Sequence, residues 1–488
     1  MTHGGRDRRD TRSGAGRSAG PDKRSGQDKK LRSKPVDGAR RVALDVLRAV
    51  RKDDAYANIL LPRLLRERSL DRRDKALATE LTYGTSRTIG VLDAVIESAA
   101  GRPTAEIDGD LLDVLRMGSY QLLRTRIGSH AAVSTSVDLV RAESGMGPSG
   151  FVNAVLRKVS QRDEQLWIDV LAPSMADDMI GHLAFSYAHP RWIAEVFHRA
   201  LGSIGELQAA LAADDERPIV HLVARPGQIT AEELALISGG EEGRLSSYCV
   251  YLPDGDPGEL EAVRDGFAGV QDEGSQLVAL AAARADVTSA EGGRTGRWLD
   301  LCAGPGGKAA LLGSLAHLDG AHLDAVEVSE HRARLIENVV DALPVTVHVA
   351  DGRDSGLEPG YDRILVDAPC SGLGALRRRP EARWRRTPDE VPELVTLQTE
   401  LLTEALRLVR PGGVVVYSTC SPHPAETTEV ISSVLGENSG VEAVDARPLV
   451  AGDAADPEPF GAGPYVQLWP HRHDTDAMFL AVLRKTAG

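Results

Sequence analysis

From residue 297 to residue 417, short apolar runs alternate with segments long enough to form helices. Five such runs are present, at residues 298–301, 323–328, 345–349, 363–366 and 414–417. This alternation is typical of a mostly parallel β-sheet whose faces are covered by helices. Ligands of such open sheets bind beyond the carboxyl ends of the strands. The residues that follow each run are therefore the first candidates for a functional site.

The sequence before this region shows two other patterns. Residues 36–165 repeat apolar side chains at helical spacing and predict an all-helical domain. Residues 166–290 mix helical patches with β-like runs at 219–223 and 248–252, which favours a linker and a small α/β subdomain. The sequence thus predicts a multidomain protein in which residues 291–488 form a C-terminal α/β domain.

The charge is distributed unevenly along the chain. The net charge of −14 argues against general nucleic-acid binding, but residues 1–34 hold eleven Lys and Arg against four Asp. Because this segment has almost no apolar residues, residues 1–35 are predicted to be a disordered basic tail. Residues 376–386 combine six arginines with a tryptophan, which favours contact with RNA phosphates and bases. The predicted RNA-binding residues are Arg377, Arg378, Arg379, Arg383, Trp384, Arg385 and Arg386.

The four cysteines form no Cys-x-x-Cys pair, which excludes a disulfide scaffold and a zinc ribbon and fits a cytoplasmic protein. No apolar run approaches the ~18 residues of a membrane span. A group near the C-terminus resembles a metal site, but an alternating strand there would bring only two histidines to one face. We therefore expect no metal at this group, which comprises His471, His473, Asp474 and Asp476.

A glycine-rich turn at residues 300–308, with the sequence Asp-Leu-Cys-Ala-Gly-Pro-Gly-Gly-Lys, follows the first apolar run and leads into a helical segment. Glycines let a ligand approach the backbone, and the helix N-terminus offers free N–H groups. A Walker phosphate loop is excluded, because it needs Gly at Cys302 and Ser or Thr at Ala309. Glu327 and Asp351 end the next two runs, where carboxylates can meet ribose hydroxyls and an adenine amino group. The sequence therefore predicts a cofactor that contains adenosine, either NAD or S-adenosylmethionine.

Two of the four cysteines, Cys370 and Cys420, follow the fourth and fifth runs. A lone cysteine is usually a small buried hydrophobe, but two at neighbouring strand ends indicate chemistry. Methylation of cytosine at C5 would use such a pair. One thiolate adds to C6 and makes C5 nucleophilic, and a base later removes the C5 proton. Asp367 suits the stabilisation of charge near N3, and the two cysteines can divide the other tasks.

The motifs Cys-Ala-Gly-Pro-Gly-Gly-Lys at 302–308, Asp-Ala-Pro-Cys at 367–370 and Ser-Thr-Cys-Ser at 418–421 resemble those of RNA cytosine-5 methyltransferases of the Sun/NOP2 type. Among them, the bacterial small-subunit ribosomal RNA methyltransferase B group is similar over nearly all of the chain after the basic tail. The resemblance implies a Rossmann-like catalytic domain that uses S-adenosylmethionine. It further implies a NusB-like RNA-binding helical domain at 36–165 and an RRM-like subdomain within 166–290.

The resemblance also implies a substrate and a role for each site residue. The substrate would be one cytosine of 16S rRNA, of the cytosine 967 type, in free RNA or an early assembly intermediate, and the enzyme a monomer. Cys420 would be the nucleophile and Cys370 would act in proton removal and product release, with Asp367 and Lys308 beside them. DNA cytosine methyltransferases would use the cysteine at position 370 as the nucleophile. The implied cofactor-binding residues are Cys302, Ala303, Gly304, Pro305, Gly306, Gly307, Lys308, Glu327, Asp351 and Asp367.

Two substitutions depart from the family pattern, since Gly304 replaces the usual alanine and Ala309 the usual threonine. Both residues are small and should leave the pocket intact. Methylation of tRNA or of another ribosomal RNA site is the alternative within the same chemistry. A non-catalytic RNA-binding factor is the alternative from a different class, although a vestigial sheet would be expected to have lost a cysteine or the glycine turn.

Overall fold

The computed structural model describes residues 37–288, 295–451, 460–461 and 463–486. The predicted basic tail at 1–35 lies outside the described residues. Within the described ranges, no helix combines the length and the apolar character needed to cross a membrane.

Helices form the described chain from Gly38 to Asp215. In α1, the helically spaced side chains of Val42, Val46 and Val50 are at most 8% exposed, so the predicted apolar face is the buried one. The helices are α1 (Gly38–Lys52), α2 (Ala57–Glu67), α3 (Arg72–Ala100), α4 (Gly109–Arg124), α5 (Ser129–Ser144), α6 (Met146–Val159), α7 (Glu164–Leu171), α8 (Met179–Ser186), α9 (Arg191–Leu201) and α10 (Ile204–Asp215).

A small antiparallel sheet follows, with the strand order β2-β3-β1-β4. Strands β1 and β3 contain most of the two β-like runs read from the sequence, and helix α13 leaves this sheet to pack on α14 of the catalytic part. The elements of this region are β1 (Val220–Ala224), α11 (Ala231–Ser238), β2 (Glu241–Glu242), β3 (Cys249–Leu252), α12 (Glu261–Arg264), β4 (Ala268–Val270) and α13 (Glu273–Arg284).

The C-terminal part is built on a second sheet with the order β10-β12-β9-β8-β5-β6-β7. Strands β5 to β9 pair in parallel and contain all or nearly all of each of the five predicted apolar runs, whereas β12 and β10 are antiparallel additions that were not predicted. A short strand, β11, pairs with β12. The elements are β5 (Arg297–Asp300), α14 (Gly307–Leu318), β6 (His322–Glu327), α15 (Glu330–Val340), β7 (Val345–Val349), β8 (Tyr361–Asp367), α16 (Ala382–Arg385), α17 (Val391–Leu408), β9 (Val409–Thr419), α18 (Thr428–Glu437), β10 (Val441–Val444), α19 (Arg447–Ala451), β11 (Val466–Gln467), α20 (Pro470–His473) and β12 (Phe479–Lys485).

The register of this sheet determines which loops meet. Strands β8 and β9 are parallel neighbours in which Asp367 pairs with Ser418. The loops that follow these strands therefore start side by side and carry Cys370 and Cys420. Strand β5 lies on the other side of β8, so the glycine-rich turn opens at the same edge. One sheet edge thus gathers the three motifs predicted to act together.

Candidate active site

The sulfur atoms of Cys370 and Cys420 lie 3.4 Å apart at the carboxyl ends of β8 and β9. With Cys370 as donor, the S–H···S hydrogen bond holds the pKa of Cys420 below its ordinary value, against the effect of burial. The same hydrogen bond, together with burial, raises the pKa of Cys370. The positive charges of Arg379 and Lys308 also favour the Cys420 thiolate. Cys420 is therefore the sulfur better prepared for nucleophilic attack.

Lys308, at the start of α14, donates to the Asp367 carboxylate at 2.8 Å. Burial disfavours the ammonium charge, but the carboxylate reverses this effect and raises the pKa of Lys308. The pair joins the glycine-rich turn to the end of β8. The pair fixes one carboxylate oxygen of Asp367 and leaves the other oxygen available to a ligand in the site.

Asp300, the last residue of β5, was not among the predicted site residues. It is fully buried, and within the described residues one of its carboxylate oxygens has no hydrogen-bond partner. Burial and the charge of Asp367 raise the pKa of Asp300 to about 7. Its only sequence signal was its position at the end of the first strand.

We expect the raised pKa of Asp300 to lower stability as the pH rises. The unfolded chain releases this proton near pH ~3.9, whereas the folded protein keeps it to about pH 7. Between these values the folded state binds more protons, so its stability falls by up to about 1.4 kcal/mol per pH unit. In thermal unfolding, the stability of an Asp300→Asn variant relative to that of the wild type should increase from pH 5 to pH 7. Asp351→Asn, at a partly exposed acid whose pKa hydrogen bonds to Arg353 hold below its ordinary value, should show no such increase.

The glycine-rich turn has the shape required to hold a nucleoside cofactor. A Cβ atom at Gly304 would lie 2.1 Å from the Glu327 carboxylate, so the glycine makes room for that acid, which also lies 3.4 Å from the Arg332 guanidinium. Gly306 adopts a left-handed φ of +112°, and α14 starts next to it without a side-chain cap. Glu327 is 4% exposed and accepts from the backbone N–H of Ser329. The donors and the buried acid fit the phosphate-free adenosine end of S-adenosylmethionine.

Asp351, the other predicted adenosine contact, lies in a different environment. Its carboxylate accepts hydrogen bonds from the Arg353 guanidinium at 2.7 to 3.2 Å and is partly exposed. Hydrogen bonds to Arg353 hold the pKa of Asp351 below its ordinary value. Both oxygens are engaged by this side chain, so an adenine amino group would have to share them.

Glu426 is a further group that the sequence analysis missed. Its carboxylate is fully buried and accepts from the Ser371 backbone N–H at 2.7 Å, from the Ser421 hydroxyl at 2.7 Å and from Gln398 at 3.1 Å. An acid just before a helix is usually read as a favourable charge at the helix N-terminus. No pattern in the sequence distinguishes such an acid from one that points inward.

Residues 376–386, called the arginine loop below, run from the cysteine pair to the helical part of the chain. Arg377 is 4% exposed. Arg378 donates to the carboxylates of Asp272 and Asp476, at 2.7 and 2.9 Å. These arginines therefore connect the catalytic part to the segment that follows the small sheet.

The far end of the arginine loop is buried against the helices. Arg383 is fully buried and donates to the carbonyl oxygens of Ala188, at 3.2 Å, and Asp214. Burial lowers the pKa of Arg383 to about 10, so the group stays charged at neutral pH. Arg385 donates to the Val50 carbonyl at 2.6 Å. Each contact satisfies a cation with backbone oxygens of the helical part.

Trp384 also packs into the helical part. Its indole N–H donates to the Ser86 carbonyl at 3.1 Å, and its ring lies so close to Gly90 that a Cβ there would be 2.3 Å away. Arg386 instead pairs with Glu390 on its own segment, at 2.7 Å. The loop thus holds the helical and catalytic parts together.

The prediction that this whole loop contacts RNA needs correction. Arg377 and Arg383 have almost no exposed surface, because a loop between packed parts uses its cations to satisfy carbonyl and carboxylate oxygens. Arg379 differs, since it is exposed and makes no ion pair with the described residues. Its positive charge lowers the pKa of Cys420.

The alternating strand predicted around His471 and His473 is wrong, because both residues belong to the short helix α20. His471 pairs with Glu206 at 2.9 Å, and His473 accepts from the Trp469 backbone N–H at 2.9 Å. Across the part of the chain that the structure describes, no three His, Cys, Asp or Glu side chains are grouped as metal ligands.

Solved structures show the same fold. PH0851 superposes with a TM-score of 0.75 at 23% sequence identity, over 93% of this chain and 99% of that one. NSun6 from Pyrococcus horikoshii, solved with SFG, gives a TM-score of 0.50 at 19% identity, over 61% of this chain and 99% of that one. Both likenesses concern the fold alone.

Sequence relatives show the family. A protein of Mycobacterium tuberculosis H37Rv, named as a methyltransferase, is 58% identical over 93% of this chain and 98% of its own. The ribosomal RNA small subunit methyltransferase B of Pseudomonas putida is 32% identical over 92% and 99%. The family model for 16S rRNA methyltransferase RsmB/F matches residues 289–484, and the NusB family model matches residues 37–161. This chain therefore belongs to the RsmB/F family of methyltransferases, with a NusB domain before its Rossmann-like catalytic domain.

Proposed function

We propose that this methyltransferase transfers a methyl group from S-adenosylmethionine to C5 of a cytosine in 16S rRNA, through a covalent bond between Cys420 and C6. The observation that supports this most is the cysteine pair, with its sulfur atoms 3.4 Å apart beside Asp367. Methylation of an exocyclic nitrogen or of a ribose oxygen has no use for two thiols. The name of the Pseudomonas putida relative supports the small-subunit RNA as substrate.

Each group has a task in this reaction. The Cys420 thiolate adds to C6, and the Asp367–Lys308 pair passes a proton to N3, which neutralises the negative charge that builds up there, and takes the proton back after the methyl transfer. S-adenosylmethionine, when bound, supplies the electrophilic methyl group. Cys370, once its own proton has left to solvent, removes the C5 proton. The electron pair of that C–H bond then restores the ring double bond and expels the Cys420 thiolate.

The cofactor would be held by the glycine-rich turn and the strand ends beside it. The buried carboxylate of Glu327 would accept from the ribose hydroxyls, and Asp351 would face the adenine amino group. The backbone N–H groups of the turn would contact the rest of the molecule. The residues assigned to this site are Cys302, Ala303, Gly304, Pro305, Gly306, Gly307, Lys308, Glu327, Asp351 and Asp367.

The target cytosine would have to leave the base stack, because a thiol cannot reach C6 within a helix. Arg379 is the exposed cation of the arginine loop best placed to hold the phosphate beside that base. We expect Arg379→Ala to weaken RNA binding about tenfold and to reduce the slope of log affinity against log salt by about one. Because the charge of Arg379 also favours the Cys420 thiolate, the pH at which the reaction reaches half its full rate should rise.

Binding titrations at several salt concentrations measure this effect. Arg386→Ala is the matched control. It also removes a positive charge from the arginine loop, but Glu390 already pairs with that charge. Equal losses of RNA affinity in the two variants would contradict the special position of Arg379.

Bisulfite sequencing of ribosomal RNA from a strain that lacks this chain tests the substrate. We expect one protected cytosine of 16S rRNA to become convertible in that strain and to regain protection when the gene is restored. An unchanged 16S pattern would move the activity to tRNA or another ribosomal site. If calorimetry detects no binding of S-adenosylmethionine, a non-catalytic RNA-binding role is favoured instead.

A further inference from the structure

Glu426 connects the two cysteine loops through one carboxylate. Ser371 directly follows Cys370, and its backbone N–H and hydroxyl both donate to this carboxylate, at 2.7 and 2.5 Å. Ser421 directly follows Cys420, and its hydroxyl donates to the same carboxylate at 2.7 Å. Each cysteine is therefore one residue away from an anchor on a shared group.

The Glu426 carboxylate is buried where a charge without hydrogen-bond partners would be energetically unfavourable. Glu426 is fully buried, and none of the cations in the described ranges forms an ion pair with it. An unpaired buried charge is expensive unless hydrogen bonds satisfy it. Here four donors do so, the fourth being the Gln398 amide at 3.1 Å, which also donates to the Pro369 carbonyl at 2.9 Å.

The hydrogen bonds continue on the Cys420 side. The Tyr417 hydroxyl donates to the Glu426 backbone carbonyl at 2.8 Å, which ties the segment of this acid to the end of β9. The two serine hydroxyls also lie 3.0 Å apart. The result is a closed ring of polar contacts among the residues that directly follow the two cysteines, whose sulfur atoms lie 3.4 Å apart.

We propose that Glu426 is a positioning residue, whose carboxylate clamps the Ser371 and Ser421 loops so that the Cys370 and Cys420 sulfur atoms stay in contact. The inference rests on the proposed function for its catalytic meaning. The clamp acts through its number of hydrogen bonds rather than through its charge. An amide of the same shape can accept from the backbone N–H and Gln398, and can donate to the two serine hydroxyl oxygens, which are free to rotate.

The experiment uses three variants of the full chain: Glu426→Ala, Glu426→Gln and, as the matched control, Glu429→Ala at an exposed acid three residues away. The first readout needs no RNA. It is the rate at which iodoacetamide alkylates Cys420 at neutral pH, followed by peptide mass spectrometry. The second readout is the single-turnover rate of methyl transfer to a 16S rRNA transcript, with RNA and S-adenosylmethionine saturating.

Without the clamp, Cys420 should lose its contact with Cys370. We expect Glu426→Ala to slow alkylation about tenfold and methyl transfer about 100-fold, because small misplacements of reacting groups have effects of this size. Affinity for S-adenosylmethionine should stay within about twofold, since the glycine-rich turn is unchanged. Glu426→Gln should restore both rates to within about fivefold of the wild type, and Glu429→Ala should change neither.

Ser421→Ala keeps the test decisive if Glu426→Ala does not fold. It removes one of the four donors and should slow alkylation by about threefold without changing cofactor affinity. Wild-type rates in both Glu426→Ala and Ser421→Ala would overturn the clamp, as would a Glu426→Gln variant no better than Glu426→Ala. A wild-type protein that leaves cytosine unmethylated would contradict the proposed function, whereas the alkylation rates would still decide the clamp.

Discussion

Replacing Cys420 with alanine is expected to abolish methyl transfer, by about 10⁴-fold or more, as is usual when a nucleophile is removed. The physical reason is that Cys420 has the lowered pKa of the pair, so no comparable thiolate remains to add to C6. Binding of S-adenosylmethionine should be retained, because position 420 lies outside the glycine-rich turn. Methylation assays and calorimetry on the same preparation measure the two properties separately.

Cys249→Ala provides the control for loss of a cysteine as such. Cys249 is buried in the small antiparallel sheet, and burial raises its pKa, so it should contribute nothing to the reaction. A Cys420→Ala protein that still forms a covalent adduct with RNA would require the roles of the two active-site cysteines to be exchanged.

Replacing Cys370 with alanine is expected to have the opposite visible effect, the accumulation of a covalent complex between protein and RNA. Cys420 would still add to C6 and the methyl group would still be transferred, but the C5 proton would stay in place. Elimination of the thiolate would then stall. A denaturing gel with labelled RNA should show a slowly migrating band that carries the methyl group.

The double variant Cys370→Ala, Cys420→Ala is the control, and it should show no such band. A Cys370→Ala enzyme that turns over at the wild-type rate without an adduct would assign proton removal to another group. The next candidate would be Asp367, whose carboxylate binds Lys308.

Much of this architecture followed from local patterns in the sequence. The five apolar runs correspond to β5 to β9, because each is bounded by turns and, apart from the edge strand β7, is buried within the sheet. The predicted meeting of Cys370 with Cys420 followed from the rule that parallel strands end at one edge, and the structure brings these residues together. Strand β12 carries an apolar run at residues 479–483 that was overlooked, whereas the four residues of β10 are too few to show a periodicity.

The arginine loop and Glu426 show where sequence patterns stop being informative. A run of arginines looks the same whether it faces solvent or, as Arg383 does, fills a buried space lined by carbonyl oxygens. Likewise, an acid before a helix can cap that helix or point inward, and only tertiary packing distinguishes the two. Both misjudgements concern charged side chains whose environment is set by distant segments of the chain.

The arginine loop also limits how far the NusB domain can move relative to the catalytic sheet. Moving the NusB domain away from the catalytic sheet would break the hydrogen bonds that the Trp384 indole and the partly buried Arg385 guanidinium donate to the carbonyl oxygens of Ser86 and Val50, at a cost of about 1 kcal/mol each. These contacts therefore hold the NusB domain at a fixed distance from the cysteine pair. Under the proposed function, an RNA held by the NusB domain would therefore present to Cys420 a base that lies at one fixed distance along the folded RNA.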